Sequence, residues 1–389
     1  MSRTERAHDS RNAALTALVA LALLLVWLPL TVRCNYGGNW SALFCSGAKL
    51  KAPPELEAGT YTFANSYGYD GQYYRYIAHD PFFRKGYARY VDSPHFRYRR
   101  GLVPLLAWTL ALGRPGWIDR TLIAVVLASI AAGVYWSARY AAWRGAHAAW
   151  GLLFLPLPAA VASADRILTD GTLAALFAGF VYYAAREHWK GLYAVSALAV
   201  LTRETGLLLV AGMVVFWVWK RCPKRALLSA TAVLPAVVWY GFVTLHAAIA
   251  PTPGNITLPF AGWIAGIGEA PADPTPWVDA VLRASRLIGL AGAAGSVTLA
   301  VRWAWKGKAG PAEVVVLSFA AMTLVLGAAV ACDPYAYGRA ISPLLLWVML
   351  EAAAGGAYAA LLAPLGVCAA AGVTMGTQVV GVVRGVLSL

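Results

Sequence analysis

Near the start of the chain one carboxylate stands among tyrosines, in Tyr67-Gly68-Tyr69-Asp70-Gly71-Gln72-Tyr73-Tyr74-Arg75-Tyr76-Ile77-Ala78. Asp-Gly suits a turn, and the residues after it suit a helix lying on a membrane. Asp70 is then held at a turn close to the bilayer surface, with Tyr69, Gln72 and Tyr74 as candidate sugar-holding side chains. A carboxylate so placed can accept a proton from an acceptor hydroxyl. Equally, it can do no more than cap the helix that follows. A second cluster, Asp92-Ser93-Pro94-His95-Phe96-Arg97-Tyr98-Arg99-Arg100, puts three arginines within four residues. Guanidinium groups grip phosphate oxygens bidentately, so Arg97 and Arg100 read as phosphate ligands or as a charged collar at a helix mouth. Asp92 is the rival base. His79 and His95 match no ligand spacing and read as surface residues.

The elements that carry these residues belong to a membrane protein. Of 389 residues, 60% are hydrophobic and only 13% charged, against roughly 45–50% and about 25% in soluble domains. Apolar runs of about 20 residues recur, the length of a bilayer-spanning helix. A soluble enzyme, a disordered chain and a β-barrel, whose strands alternate, are excluded. The formal charge of +14 does not indicate nucleic acid, because the cations gather at helix ends as cytoplasmic loops require. The first apolar run, Ala13 to Val32, lacks an A-x-A-like cleavage site and reads as an uncleaved helix. The five cysteines have no metal-ligand spacing. Cys34 and Cys45 share one loop and can pair only in an oxidising compartment.

Five basic clusters orient the chain: Arg3/Arg6/Arg11, Arg139/Arg144, Arg186/Lys190, Lys220/Arg221/Lys224/Arg225 and Arg302/Lys306/Lys308. They fall on one side, the cytoplasmic one, if two conditions hold. Residues 101–113 must not cross, being about 20 Å long at 1.5 Å per residue against a core of about 30 Å. Residues 191–219 must form a hairpin of two short helices whose apex, Leu201-Thr202-Arg203-Glu204-Thr205, sits below the outer surface. The N-terminus is then cytoplasmic. The outer face receives loop 33–117, turn 164–171, loop 250–284 and turn 332–339. The expectation is one all-α integral membrane domain over 1–389, with about 10–12 transmembrane helices and a long first extracytoplasmic loop, 33–117, containing interfacial and half-helices.

Between residues 33 and 100 there are ten Lys/Arg, five Asp/Glu and ten of the chain's 19 tyrosines. A basic, aromatic outer loop suits a surface that handles a lipid phosphate, or one that anchors at the headgroups. Ionisable groups at membrane depth mark function, and Arg203, Glu204, Asp165, Arg166, Asp170 and Arg339 all map to the outer side. Arg203 and Glu204 are adjacent and can neutralise one another.

These features together resemble the membrane-embedded glycosyltransferases of the C-type fold. The closest likeness lies in Y-D-G-Q-Y-Y-x-x-I-A-x-D-P at 69–81, R-Y-R-R-G-L-V-P-L-L-A-W at 97–108 and L-T-R-E-T-G-L-L at 201–208, which are similar to an uncharacterised bacterial group of that class. The resemblance implies a GT-C-like bundle. It also implies transfer, with inversion, of a sugar from a polyprenyl-phosphate donor to a lipid, glycan or protein hydroxyl at the outer face of a bacterial cytoplasmic membrane, without a metal or other cofactor. Carried over, Asp70 is the general base. Arg97, Arg100, Arg203 and Arg339 hold the donor phosphate, and Glu204 and Asp170 join Tyr69, Gln72 and Tyr74 around the substrate. The class often places its acid soon after the first helix. Here no acid follows Val32 until Glu55, so Asp70 serves only if residues 33–69 fold back over the membrane. The competing expectation is a transporter or flippase of a lipid-linked anion, which calls for broken helices at the midplane.

Overall fold

A computed structural model describes residues 3–249, 255–268, 275–307 and 310–388. Lys308 and parts of loop 250–284 lie outside them. Helix α1 (Arg3–Tyr36) leads into a long connecting segment, which contains α2 (Pro54–Glu57), α3 (Asp70–His79), α4 (Pro94–Arg97) and α5 (Leu102–Leu110). Next come α6 (Pro115–Trp143), α7 (Pro158–Arg166), α8 (Asp170–Ala185), α9 (Trp189–Thr202) and α10 (Leu207–Trp219). The second half holds α11 (Pro223–Ala230), α12 (Leu234–His246), α13 (Ala261–Gly268), α14 (Pro276–Lys306) and α15 (Pro311–Leu324). It ends with α16 (Ala328–Ala331), α17 (Pro334–Ala354), α18 (Leu362–Val373) and α19 (Gly376–Leu387). The one sheet among the described residues pairs β1 (Ser46–Gly47) with β2 (Thr62–Phe63), in parallel.

This is an all-α, multi-pass membrane architecture. Asp9–Tyr36, Pro115–Trp143, Pro223–His246 and Pro276–Lys306 are each long and apolar enough to cross a bilayer. Side chains on their outer surfaces are apolar, for example Val26 at 61% and Val238 at 74% exposure, which suits lipid rather than water. The number of such helices is lower than the ten to twelve expected. Among the described residues four qualify alone, and six if two bent pairs each count as one span. The reason is length. Trp189–Thr202, Glu204–Trp219 and Pro311–Leu324 are apolar but short, and α17, 21 residues long and buried along nearly its whole length, breaks its apolar run with Arg339, Pro343 and Glu351.

The two short elements on which the threading depends are present. Residues 102–110 make a nine-residue helix, α5, and α9 and α10 make a short hairpin. At its apex a Cβ on Gly206 would lie 2.1 Å from the carbonyl oxygen of Ala199, so only glycine permits so tight a closure. Residues 33–69 also fold back. The Tyr69 amide donates to the Cys45 carbonyl at 2.9 Å. The Gln72 side chain accepts from Gly47 N–H at 3.2 Å and donates to the Tyr67 carbonyl at 2.9 Å.

Two expectations are corrected. Helix α3 does not lie on the membrane; Gly71 through His79 are all buried in protein. Its bulky residues, Tyr73, Tyr74, Tyr76 and Ile77, share one face and pack in one cluster with Tyr87, Tyr98, Leu168 and Tyr335, while Gln72, Arg75 and His79 on the rest of the helix are buried too. His79 is not a surface residue either. Only 4% exposed, it bonds Asp119 of α6 at 2.9 Å, and Arg75 makes a 2.8 Å ion pair with the same carboxylate. Cys34 and Cys45 are both free thiols.

Candidate active site

Five chain segments meet at one end of the bundle. They are the start of α3, the stretch from α4 to Arg100, the α7–α8 turn, the α9–α10 apex and the first turns of α17. The closest approach is at Gly71, where a Cβ would lie 2.1 Å from the Arg166 carbonyl oxygen. The absence of a side chain there lets α3 seat its first turn directly on the end of α7.

Asp70 is the first residue of α3. The N-cap position is Tyr69, and no side chain caps the helix. Instead, the Asp70 carboxylate pairs with Arg97 Nη1 at 2.8 Å. Arg97 also makes a bidentate contact with Asp92, at 3.0 Å and 2.9 Å, while its guanidinium lies 5.2 Å from the Tyr73 ring centre. The two candidate bases therefore share one arginine. Burial pushes the Asp70 carboxyl up, but Arg97, then Arg339 and Arg100, outweigh it and hold it at about 2.

The other arginines pair in ways the chain order does not suggest. Arg203 and Glu204 do not neutralise one another. Arg203 pairs with buried Asp170 at the start of α8. Glu204 accepts from Arg100 Nε at 3.0 Å, and Arg100 Nη1 donates to the Tyr74 hydroxyl at 2.9 Å. Arg166 Nε donates to Asp165 at 3.2 Å. Arg97, Arg100, Arg203 and Arg166 thus account for Asp70, Asp92, Glu204, Asp170 and Asp165.

Arg339 is different. Among the described residues it has no ion-pair partner, and its Nε and Nη1 are buried without a hydrogen bond. Its guanidinium lies against Tyr69 and Tyr335, 5.2 Å and 5.4 Å from the ring centres. Arg166 flanks the same two rings at 4.5 Å and 4.8 Å, and the rings meet edge to face at 6.0 Å. A buried cation with unmet donors is costly, and a bound anion is the simplest group to meet them. The Tyr335 hydroxyl, also buried and unpartnered, is a further donor.

Asp70, Asp92, Arg97, Arg100, Arg203, Arg339, Tyr69, Tyr74, Glu204 and Asp170 are therefore brought together. Gln72 is not; its amide is consumed in holding the loop. Reading the sequence alone passes over Tyr335 and gives Arg166 no task. The available signal was the four-residue spacing of Tyr335 and Arg339, which puts both on one helix face. Among the described residues no group of three or more His, Cys, Asp or Glu is placed to hold a metal. Comparison with protein-family models, with curated proteins and with solved structures finds no match for this chain.

Proposed function

We propose that the chain is a membrane glycosyltransferase of the GT-C-like kind, moving a sugar from a polyprenyl-phosphate donor to an acceptor hydroxyl on the extracytoplasmic face of a bacterial cytoplasmic membrane. The observation that carries this reading is the unpaired, buried Arg339 guanidinium set between two tyrosines and beside Asp70. Phosphodiester oxygens would meet the Arg339 Nε and Nη1 donors that the protein leaves without hydrogen bonds. In transfer, the bond from the anomeric carbon to phosphate oxygen breaks, and its electron pair stays on the phosphate, whose growing charge Arg339 stabilises. The acceptor oxygen bonds to the anomeric carbon from the opposite side and passes its proton to Asp70. Held at about 2, Asp70 is a weak base, suited to a proton that loosens late, once the sugar carries positive charge.

Two adjoining apolar grooves on α1 support a lipid-linked donor. One, of about 470 Å³, is lined by Leu23, Val26 and Trp27. The other, of about 220 Å³, shares Leu23 and Trp27 and ends at Met375 and Asp165, next to Arg166. An isoprenoid chain lying there would bring its phosphate to the arginine–tyrosine box.

The second reading, a flippase for a lipid-linked anion, is favoured by one observation. The turn 148–154 with α7, and α18 with α19, are bent by 63° and 66°, and broken helices are a transporter feature. The deciding experiment gives purified protein a panel of polyprenyl-phosphate sugars and measures donor consumption by wild type, Asp70→Asn and Arg339→Gln. Consumption by wild type alone supports transfer. Binding of the lipid phosphate with no consumption across the panel moves the reading to transport.

A further inference from the structure

An open groove of about 580 Å³ has Lys51, Tyr73, Arg89, Tyr90 and Asp92 in its walls. Its volume is that of a small-molecule site, roughly 300–1,000 Å³. All its walls come from residues 50–92, in the segment between α1 and α6, and none from a membrane-spanning helix. Two of them touch the candidate catalytic pair: Tyr73 lies under Arg97, and Asp92 shares Arg97 with Asp70. The groove is thus one side chain away from the proposed base.

Its charge is lopsided. Asp92 is already neutralised by Arg97, whereas Lys51 and Arg89 are exposed and have no acidic partner within 4 Å among the described residues. Arg89 stacks on Tyr90 at 5.0 Å, which keeps its charge over an aromatic ring at the rim. Two tyrosines and two uncommitted cations suit a ligand that offers both ring faces and negative charge.

We infer that this groove is the acceptor site and that the acceptor is a water-soluble, acidic oligosaccharide segment. The inference rests on the glycosyltransferase reading, but its test does not depend on turnover. The chain is placed in nanodiscs of zwitterionic phosphatidylcholine and titrated with tetragalacturonate, with maltotetraose as the neutral counterpart. The expected result is saturable binding of tetragalacturonate, weakened about tenfold by the double change Lys51→Glu/Arg89→Glu and several-fold by Tyr90→Ala. Maltotetraose binds more weakly than the acidic sugar, and Arg339→Gln leaves tetragalacturonate binding unchanged. Absence of saturable binding, or binding indifferent to the charge reversals, overturns the inference. So does its suppression, through the same two cations, when the discs contain phosphatidylglycerol, because the occupant is then a lipid headgroup. Loss of donor consumption with intact tetragalacturonate binding isolates the donor box, and the reverse pattern isolates the groove.

Discussion

Asp70 and Arg97 form a 2.8 Å ion pair in which the arginine is simultaneously held by Asp92, so the charge on the proposed base is set by a cation that is itself shared. Asp70, held at about 2, stays ionised from neutral pH down through the ordinary carboxylate range. In wild type, no loss of turnover on the acid side traces to Asp70 until pH falls towards 2. Arg97→Gln removes the strongest of the three cations that oppose burial, and the carboxyl rises. The acid limb of kcat/KM then moves towards neutral pH, which a pH–rate profile of the variant reads directly. An unmoved limb would separate Arg97 from the charge state of the base.

Asp70→Asn and Asp92→Asn part the two candidate bases. Removing a general base costs about 10²–10⁴-fold in rate, and that loss is expected for Asp70→Asn in a donor-to-acceptor transfer assay. Asp92→Asn leaves Arg97 paired with Asp70 and changes the rate only a few-fold. A reversed order transfers the role to Asp92.

The arginines fall into two kinds. Arg203→Gln strands the Asp170 carboxylate, whose side chain is 2% exposed, and breaking such a pair costs about 3–5 kcal/mol. Thermal unfolding in detergent should record that loss. Arg339→Gln strands no carboxylate, so the melting temperature holds while affinity for a polyprenyl phosphate falls. Equal destabilisation by both changes would make Arg339 a structural residue.

Gly71→Ala tests how tightly the site is assembled. The added methyl meets the Arg166 carbonyl at 2.1 Å, and backbone on both sides leaves no flexible group to yield. Helix α3 must shift, moving Asp70 away from Arg97. Lower stability together with lower transfer is expected. Full activity would show that the seat of α3 on α7 is not needed.

Cys222 reports sidedness. It sits among Lys220, Arg221, Lys224 and Arg225 at the end of the bundle opposite Asp70. In a variant keeping Cys222 alone, a membrane-impermeant maleimide should leave intact cells unlabelled and label them after permeabilisation. A variant whose one cysteine is Lys49→Cys, at an exposed position in the segment that carries Asp70, should label without permeabilisation. The opposite pattern inverts the map.

Much of the site is readable from residue type, because charges in an apolar chain need a reason to be there. Asp70, Arg97, Arg100, Arg203 and Arg339 stand out on that ground, and the structure gathers them. Partner choice is not readable. Arg203 and Glu204 are neighbours in sequence, yet the tight turn at Gly206 sends one to α8 and the other to Arg100. The doubling of Asp70 and Asp92 on Arg97, which leaves Arg339 alone, depends on five segments meeting and has no local signal. In the fold, α5 and the α9–α10 hairpin follow from length against bilayer thickness. The burial of α3 does not, because tyrosines suit a headgroup interface and a protein interior equally well.

The joint between Arg75, His79 and Asp119 bears on how the chain is made. Arg75 and His79 are buried in the segment between α1 and α6, and the carboxylate that satisfies both belongs to α6, which leaves the ribosome after them. Until α6 is in place, the buried Arg75 guanidinium has no counter-ion and the buried His79 ring has no carboxylate to bond. The segment between α1 and α6 therefore cannot complete its fold on its own. It waits for a later part of the chain, so its maturation is coupled to insertion of the span behind it.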